Sequence, residues 1–324
     1  MSRDTTGAPV TTVLGCPLTE TKTDTMPDVP MQRTEVPQLR GFPPKLFVIG
    51  AQKSGTTALC EHLDRLPDIE LATPKEPGYF TRNYQRGSDW YRRCFTASDR
   101  ILLDGTPGYA AARPDHEDSP HNAAASRLHA LAPEARLIYI VRDPVRRAWS
   151  AYWHAVRVGE ENRPPSEALT TASVYVRSSR YAYQLDRYLA LFPRSQILCV
   201  DYGYFRTEPD AVISGIARWL RVSPRPEAPL ERRNYNESFR YNKTGALIRD
   251  AVPRPMLAAA TATLKAVLPA AAVGRLKAVL TKGIPELDDI TRNHLYAHVA
   301  DDYRRFCTDH ADLFLDGRPP PPLR

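Results

Sequence analysis

With 324 residues the chain is long enough to bury a real core, as one large α/β domain or two modest ones. Lys and Arg number 44 against 37 Asp and Glu, and the resulting net charge of +7 favours anionic partners such as nucleotides, sulfated glycans, nucleic acid or acidic lipid without choosing among them. Cys16, Cys60, Cys94, Cys199 and Cys307 are widely spaced, with no C-x-x-C pair and no His/Cys cluster at zinc spacing, which argues against a disulfide scaffold or zinc site and for a reduced compartment.

The first residues are rich in Thr and Pro and hold no continuous apolar run that could form a signal-peptide core, so residues 1–42 are expected to be a disordered tail before a domain at 43–324. Past Pro44, Lys45-Leu46-Phe47-Val48-Ile49 reads as a buried strand that Gly50 ends. Leu59, Leu63 and Leu66 then fall at helical spacing until Pro67, giving a strand, glycine loop, helix unit. Residues 69–71, 101–103 and 137–141 read as further strands, the last feeding a helix over about 144–156. Residues 196–200 read as a strand between a helix over 181–191 and one ending near Leu220, while 162–173 and 223–230 read as Pro-rich loops. This alternation predicts a single P-loop-like α/β domain with a central parallel sheet flanked by helices on both faces.

From Asn234 the alternation lapses into loop and Ala-rich helix, a helical C-terminal extension. Its last helix, 289–306, carries Leu295, Val299, Tyr303 and Phe306 at helical spacing and is expected to pack onto the sheet. The Ala/Leu-rich stretch at 256–280 is broken by Lys265, Pro269, Arg275 and Lys277, too often for a bilayer-spanning helix. The expectation is a cytoplasmic protein without a membrane span. Heavy use of Ala, Arg and Pro suits a GC-rich bacterial genome.

Gly50-Ala51-Gln52-Lys53-Ser54-Gly55-Thr56-Thr57 lies between a strand and a helix, where backbone N–H groups and the positive end of a helix dipole converge. Such a turn binds an anion, or is simply a tight turn with a Ser/Thr cap. It resembles the triphosphate loop G-x-x-x-x-G-K-[ST], but Thr56 stands at the lysine position and the lysine has moved to Lys53. A magnesium-dependent kinase or ATPase is disfavoured by that displacement.

The run from Phe47 to Leu59 resembles the PAPS-dependent sulfotransferases (PAPS is 3'-phosphoadenosine 5'-phosphosulfate), especially the branch of heparan sulfate N- and O-sulfotransferases and bacterial relatives. The resemblance implies that Lys53 contacts the phosphosulfate and its bridging oxygen, while Gln52, Ser54, Gly55, Thr56 and Thr57 belong to the loop around the 5'-phosphate. Downstream, Arg142-Asp143-Pro144-Val145-Arg146-Arg147-Ala148-Trp149-Ser150 follows a strand and opens a helix with Pro in its first turn. Taken alone it is also consistent with a surface Arg–Asp pair. It resembles the family's 3'-phosphate motif R-D-P-x-x-R-x-x-S, which implies that Arg142 and Ser150 bind the 3'-phosphate. The likeness runs loosely from Lys45 to about Leu220, and residues 235–243 are the counterpart of a later cofactor loop, with Arg240 and Lys243 as candidates.

Sulfuryl transfer resembles phosphoryl transfer: positioning and stabilisation of oxygen charge do most of the work, and no metal is required. Lys75-Glu76-Pro77-Gly78-Tyr79-Phe80 resembles the family segment whose glutamate is the catalytic base, which makes Glu76 the candidate base. The alternative for Glu76 is an exposed pair with Lys75. His116 and His121 rank behind it, in a Pro/Asp-rich loop that reads as solvated. In Asp104-Gly105-Thr106-Pro107-Gly108-Tyr109 the chain has Gly105 where many relatives have lysine, so a cation is absent or comes from elsewhere, and Asp104 is a candidate for orienting the acceptor.

The reading is sulfuryl transfer from PAPS, leaving 3',5'-adenosine bisphosphate, to a hydroxyl, secondarily an amine, of a small molecule or glycan. Two alternatives stay open: a P-loop nucleotide kinase or NTPase, and a non-catalytic binder of nucleic acid or acidic glycan. No basic tract with interleaved aromatics supports nucleic acid as a partner. The acceptor pocket is expected to be shaped by residues 82–94, 158–174 and 245–288.

Overall fold

The computed structural model describes residues 39–96, 99–224, 239–252 and 267–323, with Met256, Ala260 and Thr263 between the last two stretches. In chain order the main elements are β1 (Leu46–Gly50), α1 (Thr56–Leu63), β2 (Ile69–Leu71), α2 (Gly87–Arg92), β3 (Ile101–Asp104), α3 (Ala124–Leu131), β4 (Arg136–Val141) and α4 (Pro144–Val158). They continue with α5 (Pro165–Ala168), α6 (Val174–Arg177), α7 (Tyr181–Leu189), β5 (Ile197–Asp201), α8 (Tyr202–Thr207) and α9 (Pro209–Leu220). The last are β6 (Phe239–Tyr241), α10 (Lys243–Ala251), α11 (Ala270–Leu280), β7 (Thr281–Gly283) and α12 (Asp289–Asp309).

Strands β2-β3-β1-β4-β5 form one parallel sheet. Every residue of β1 is buried, as expected for a central parallel strand. Its side chains alternate between two cores. Phe47, Ile49, Leu137, Tyr139 and Cys199 pack with Leu128 of α3, Tyr181 and Leu185 of α7, and Phe306 of α12. Leu46, Val48, Ile138, Ile140 and Val200 pack on the other face with Leu59 and Leu63 of α1 and with Val212, Ile213 and Ile216 of α9. A third cluster joins Val145, Trp149 and Tyr152 of α4 to Val176 of α6 and Leu295 and Val299 of α12. The terminal helix therefore seals the sheet through Tyr303 and Phe306 and clamps α4 through its first half.

The strands and helices read from periodicity recur within a few residues of their expected ends. Two features differ. Residues 39–42, read as tail, pack into the domain: Leu39 is buried, Arg40 pairs with Asp68 at 2.5 Å, and Gly41 donates its N–H to the Arg100 carbonyl at 3.0 Å. The C-terminal region also contains an antiparallel pair, β6 with β7, that its Ala-rich composition hid. Residues 1–38 of the expected tail, 225–230 of the second expected Pro-rich loop and 235–238 of the expected late cofactor loop lie outside the described residues.

From β1 the chain runs first to β2 and β3 on one side and then crosses from β3 to β4 and β5 on the other, so the loops after β1, β3 and β4 gather at one edge. Gly50 ends β1 beneath Tyr139, where a Cβ would lie 2.8 Å from Cε2 of that ring and 3.0 Å from the Ala110 Cβ. Tyr139 is fully buried and held edge-on by Tyr181, so the ring has no room to yield. Gly50→Ala is therefore expected to lower unfolding stability by about 1–3 kcal/mol, read as a shifted urea midpoint at unchanged slope.

Candidate functional site

The turn after β1 carries the first anion-binding geometry. Gly55 is the N-cap of α1 with φ 87°, and no side chain caps the helix. A side chain there would strike the Tyr202 ring, 2.8 Å from the position of its Cβ. Lys53 is itself left-handed at φ 70°, a conformation that costs a non-glycine residue about 1 kcal/mol or more and points to a functional demand. Ser54 and Thr56 are buried and Gln52 is exposed.

The turn after β4 meets it directly. Asp143 caps α4 by accepting from the Arg146 N–H at 2.9 Å, with Pro144 in the first turn. This frees Arg142 to donate from Nη1 to the Lys53 carbonyl at 3.2 Å, with its guanidinium 5.2 Å from the centre of the Tyr202 ring. Tyr202, at the end of β5, thus packs on Gly55 and against Arg142 together. Arg147 is almost fully buried and braces the junction. Its Nε donates to Ser179 Oγ at 2.6 Å, Nη1 to the Gln52 carbonyl at 3.4 Å, and Nη2 to the Tyr175 carbonyl.

Ser150 sits buried two turns into α4, and His154 and Arg157 follow at helical spacing on its face. Arg157 Nη2 lies 2.6 Å from His154 Nδ1; because Arg can only donate, Nδ1 accepts and Nε2 carries the proton. Burial, then Arg157 and Arg142, push Lys53 down to about 8. Burial, then Lys53 and Arg157, push His154 down to about 4. The charges acting on Lys53 are thus all positive, the electrostatics of a site built for an anion.

Glu76 lies in the loop after β2, laid across the end of β3. Gly105 donates its N–H to the Lys75 carbonyl at 3.2 Å, and Lys75 Nζ donates to the Gly105 carbonyl at 2.9 Å and to Glu76 Oε1 at 2.8 Å. The Lys75 pair expected as the bland alternative does form, on a carboxylate 44% exposed. An ion pair this exposed stabilises by at most about 1 kcal/mol, so its consequence is the pose of the carboxylate. Gly105 has no room for a side chain, since a Cβ would lie 2.5 Å from Cys60 Sγ and 3.3 Å from Lys75 Cε. Lys75 thus occupies the space that a side chain at position 105 would take.

Asp104 does not orient an acceptor, as the sequence suggested, because it is fully buried. Its carboxylate accepts from Tyr91 Oη at 2.7 Å, Tyr109 Oη at 2.7 Å and Thr106 Oγ1 at 2.6 Å. Thr106 Oγ1 in turn accepts the Gly78 N–H at 3.1 Å, so Asp104 anchors the loop that carries Glu76. Burial raises its carboxyl to about 6 against the pull of the three hydroxyls and Lys75.

Of the other candidates, Arg240 lies with its guanidinium 5.4 Å from the centre of the Trp153 ring on α4, and the side chain of Lys243 is outside the described residues. His116 is exposed, and His121 is tied through Nδ1 to the Gly108 carbonyl at 2.7 Å. His154, Arg157 and Tyr202 were not read from the sequence, nor were the role of Lys75 and the bracing role of Arg147, which appeared there only as the second arginine of R-D-P-x-x-R-x-x-S. The spacing Ser150, His154, Arg157 was the available signal for the first two.

Beside the phosphate turn, one side chain away through Arg147, opens a cleft of about 400 Å³ lined by Arg113, Glu160, Glu161, Arg163, Ser173 and Tyr175. Hydrogen bonds from Arg163 hold Glu161 down at about 2, with Tyr175 adding another at 3.1 Å. Arg113 Nε is buried without a hydrogen-bond partner.

Residues 43–248, more than half of the chain, match the family model described as a sulfotransferase domain. The chain is 32% identical over 219 residues to the bifunctional heparan sulfate N-deacetylase/N-sulfotransferase 3 of Mus musculus, covering 61% of this chain and 24% of that one. It is 34% identical over 195 residues to the heparan sulfate glucosamine 3-O-sulfotransferase 6 of Homo sapiens, covering 57% and 54%. The chain thus spans between about a quarter and about half of the length of these relatives. The solved structure of a sulfotransferase from Alicyclobacillus acidocaldarius aligns at a TM-score of 0.49 and 26% identity, covering 59% of this chain and 87% of that one. By the family match the chain belongs to the sulfotransferases, a family of transferases.

Proposed function

We propose that this chain moves a sulfuryl group from PAPS, the donor its family uses, to a hydroxyl, secondarily an amine, of a small molecule or glycan, with Glu76 as general base. The observation that carries this reading is the hydrogen bond from Arg142 to the Lys53 carbonyl, which joins two strand-to-helix turns into one cationic surface with unmatched charge. A donor with phosphate groups at both ends of an adenosine fits that surface. The residues that would hold it are Lys53, Ser54, Gly55, Thr56 and Thr57 at the 5' end and Arg142 and Ser150 at the 3' end, with Gln52, Arg240 and Lys243 at the margin. When bound, PAPS supplies a sulfuryl group on a good phosphate leaving group.

Lys53 stabilises the charge that grows on the leaving oxygen, and burial strengthens that interaction. Glu76 takes the acceptor proton on a carboxylate oxygen, its pose fixed by Lys75 and by the anchored loop at Gly78. Asp104 acts as a positioning residue behind that loop. The acceptor is placed in the cleft beside Arg147, where Arg113 offers an unpaired N–H and Glu161 is already neutralised by Arg163. The printed names of the relatives include both N- and 3-O-sulfotransferases of heparan sulfate, so glycan acceptors come first in a screen.

Glu76→Gln should lower kcat by roughly 10²–10⁴ while affinity for 3',5'-adenosine bisphosphate stays within about twofold, read by sulfate transfer in a mass assay and by calorimetry. Retained turnover would remove Glu76 as base; absence of nucleotide binding by the wild type would remove the whole reading. Lys53 sets a second outcome. Its free pKa of about 8 is lowered, and a bound anion favours the protonated form, so affinity is full below pH 8 and weakens above it. The fall approaches about tenfold per pH unit and is absent in Lys53→Met. Asp104→Asn should lower kcat about ten- to hundredfold with nucleotide affinity unchanged. In the wild type, turnover declines as pH falls through about 6, where Asp104 takes a proton and loses one of its hydroxyl donors. That part of the acid limb disappears in the Asn variant.

A further inference from the structure

Residues 239–283 contain eight Lys or Arg and one Asp. This surplus of seven equals the net charge of the entire chain, so the remainder is electrically balanced. The same stretch holds six of the ten large hydrophobic side chains exposed among the described residues: Leu247, Ile248, Met256, Val267, Leu268 and Val279. Leu247 is 71% exposed and Val279 70%. Helices normally turn such residues inward. Among the described side chains of α10 the exposed ones are Thr244, Leu247, Ile248 and Ala251, mostly apolar and at helical spacing, while Gly245 is buried against the Leu280 carbonyl.

The hairpin that presents this face is built. Asn242 caps α10 by accepting from the Gly245 N–H at 2.9 Å, and it donates to the Leu280 carbonyl at 3.0 Å and to the Val279 carbonyl at 2.6 Å. Strand β6 packs against α4, so the segment adjoins the donor site.

Charge decides the occupant. A second copy of the chain would bring the exposed Arg275 and Lys282 of one stretch, with its surplus of basic residues, against the same stretch of the other across a symmetric contact. Single-stranded nucleic acid is gripped by aromatic rings among the cations, whereas the exposed large side chains of this stretch are aliphatic. Aliphatic residues among Lys and Arg match the boundary between acyl chains and acidic headgroups.

We propose that α10, α11 and β7 form a docking surface for an anionic lipid bilayer, with the exposed Leu247, Ile248 and Val279 entering the acyl boundary and the exposed Arg275 and Lys282 at the level of the headgroups. The segment lies on the bilayer, since Pro253, Lys265, Pro269, Arg275 and Lys277 interrupt its apolar run. This proposal is independent of which acceptor the catalytic site takes.

The test is co-sedimentation of the full-length protein with vesicles of phosphatidylcholine alone or mixed with phosphatidylglycerol, with unfolding temperature as the control for folding. Binding is expected to the mixed vesicles only, to weaken with salt, and to fall at least about tenfold in Leu247→Glu/Val279→Glu and in Arg275→Glu/Lys282→Glu, both with unchanged unfolding temperature. Absence of binding to the mixed vesicles overturns the proposal. Full binding by the folded Leu247→Glu/Val279→Glu variant also overturns it, because charge alone would then suffice. Tighter retention on DNA than on vesicles would assign the surface to nucleic acid instead.

Discussion

The candidate site is organised around a lysine taken out of water whose neighbouring charges are themselves positive. Lys53 sits in a turn after β1 where burial and two neighbouring guanidinium groups favour loss of its proton. A folded protein does not hold such a cluster for stability, because each cation costs solvation and repels the next. The cluster becomes favourable when a multiply charged anion arrives. Much of the surrounding structure can be understood as the means by which Lys53, Arg142 and Arg157 are kept together in the anion's absence.

Two groups do that holding, and a third fixes the neighbouring loop that bears Glu76. Arg147 runs through the buried junction between the β1 turn, Ser179 and Tyr175, spending its donors on internal acceptors so that Arg142 is left to face the anion. Tyr202, from the end of β5, covers Gly55 and lies against Arg142. Asp104, at the end of β3, gathers three hydroxyls and through Thr106 pins the loop bearing Glu76. The Lys53 turn and the Glu76 loop, the proposed donor and base sides, are therefore anchored on adjacent strands, β1 and β3, whose separation the sheet fixes.

Much of this was legible in the sequence, for a local reason. A strand, a glycine turn and a helix are contiguous, so the Lys53 turn and the Arg142 turn each declare themselves within about ten residues. Glu76 was legible in the same way. Lys75, by contrast, looked like the trivial neighbour of Glu76, and only its second bond to the Gly105 carbonyl shows why that neighbour matters. Asp104 was assigned to the acceptor because its segment resembles one that carries a lysine in many relatives; its burial, with Tyr91 and Tyr109 bonded to it, reverses that. The β6–β7 pair was missed because three-residue strands leave no periodic trace beside Ala-rich helices.

The sequence by itself determined the parallel α/β fold, the two strand-to-helix turns proposed to bind the donor, and the family to which the chain belongs. These depend on apolar periodicity and on residues close together along the chain, where spacing alone fixes geometry. Tertiary structure decided what came from distant segments: that His154 is a neutral donor held by Arg157 beside Lys53, that Arg147 is a brace, that Lys75 fills the space Gly105 leaves, and that α10 turns aliphatic side chains to solvent. Those outcomes follow from burial and from which groups meet across the sheet, and neither is encoded by local spacing.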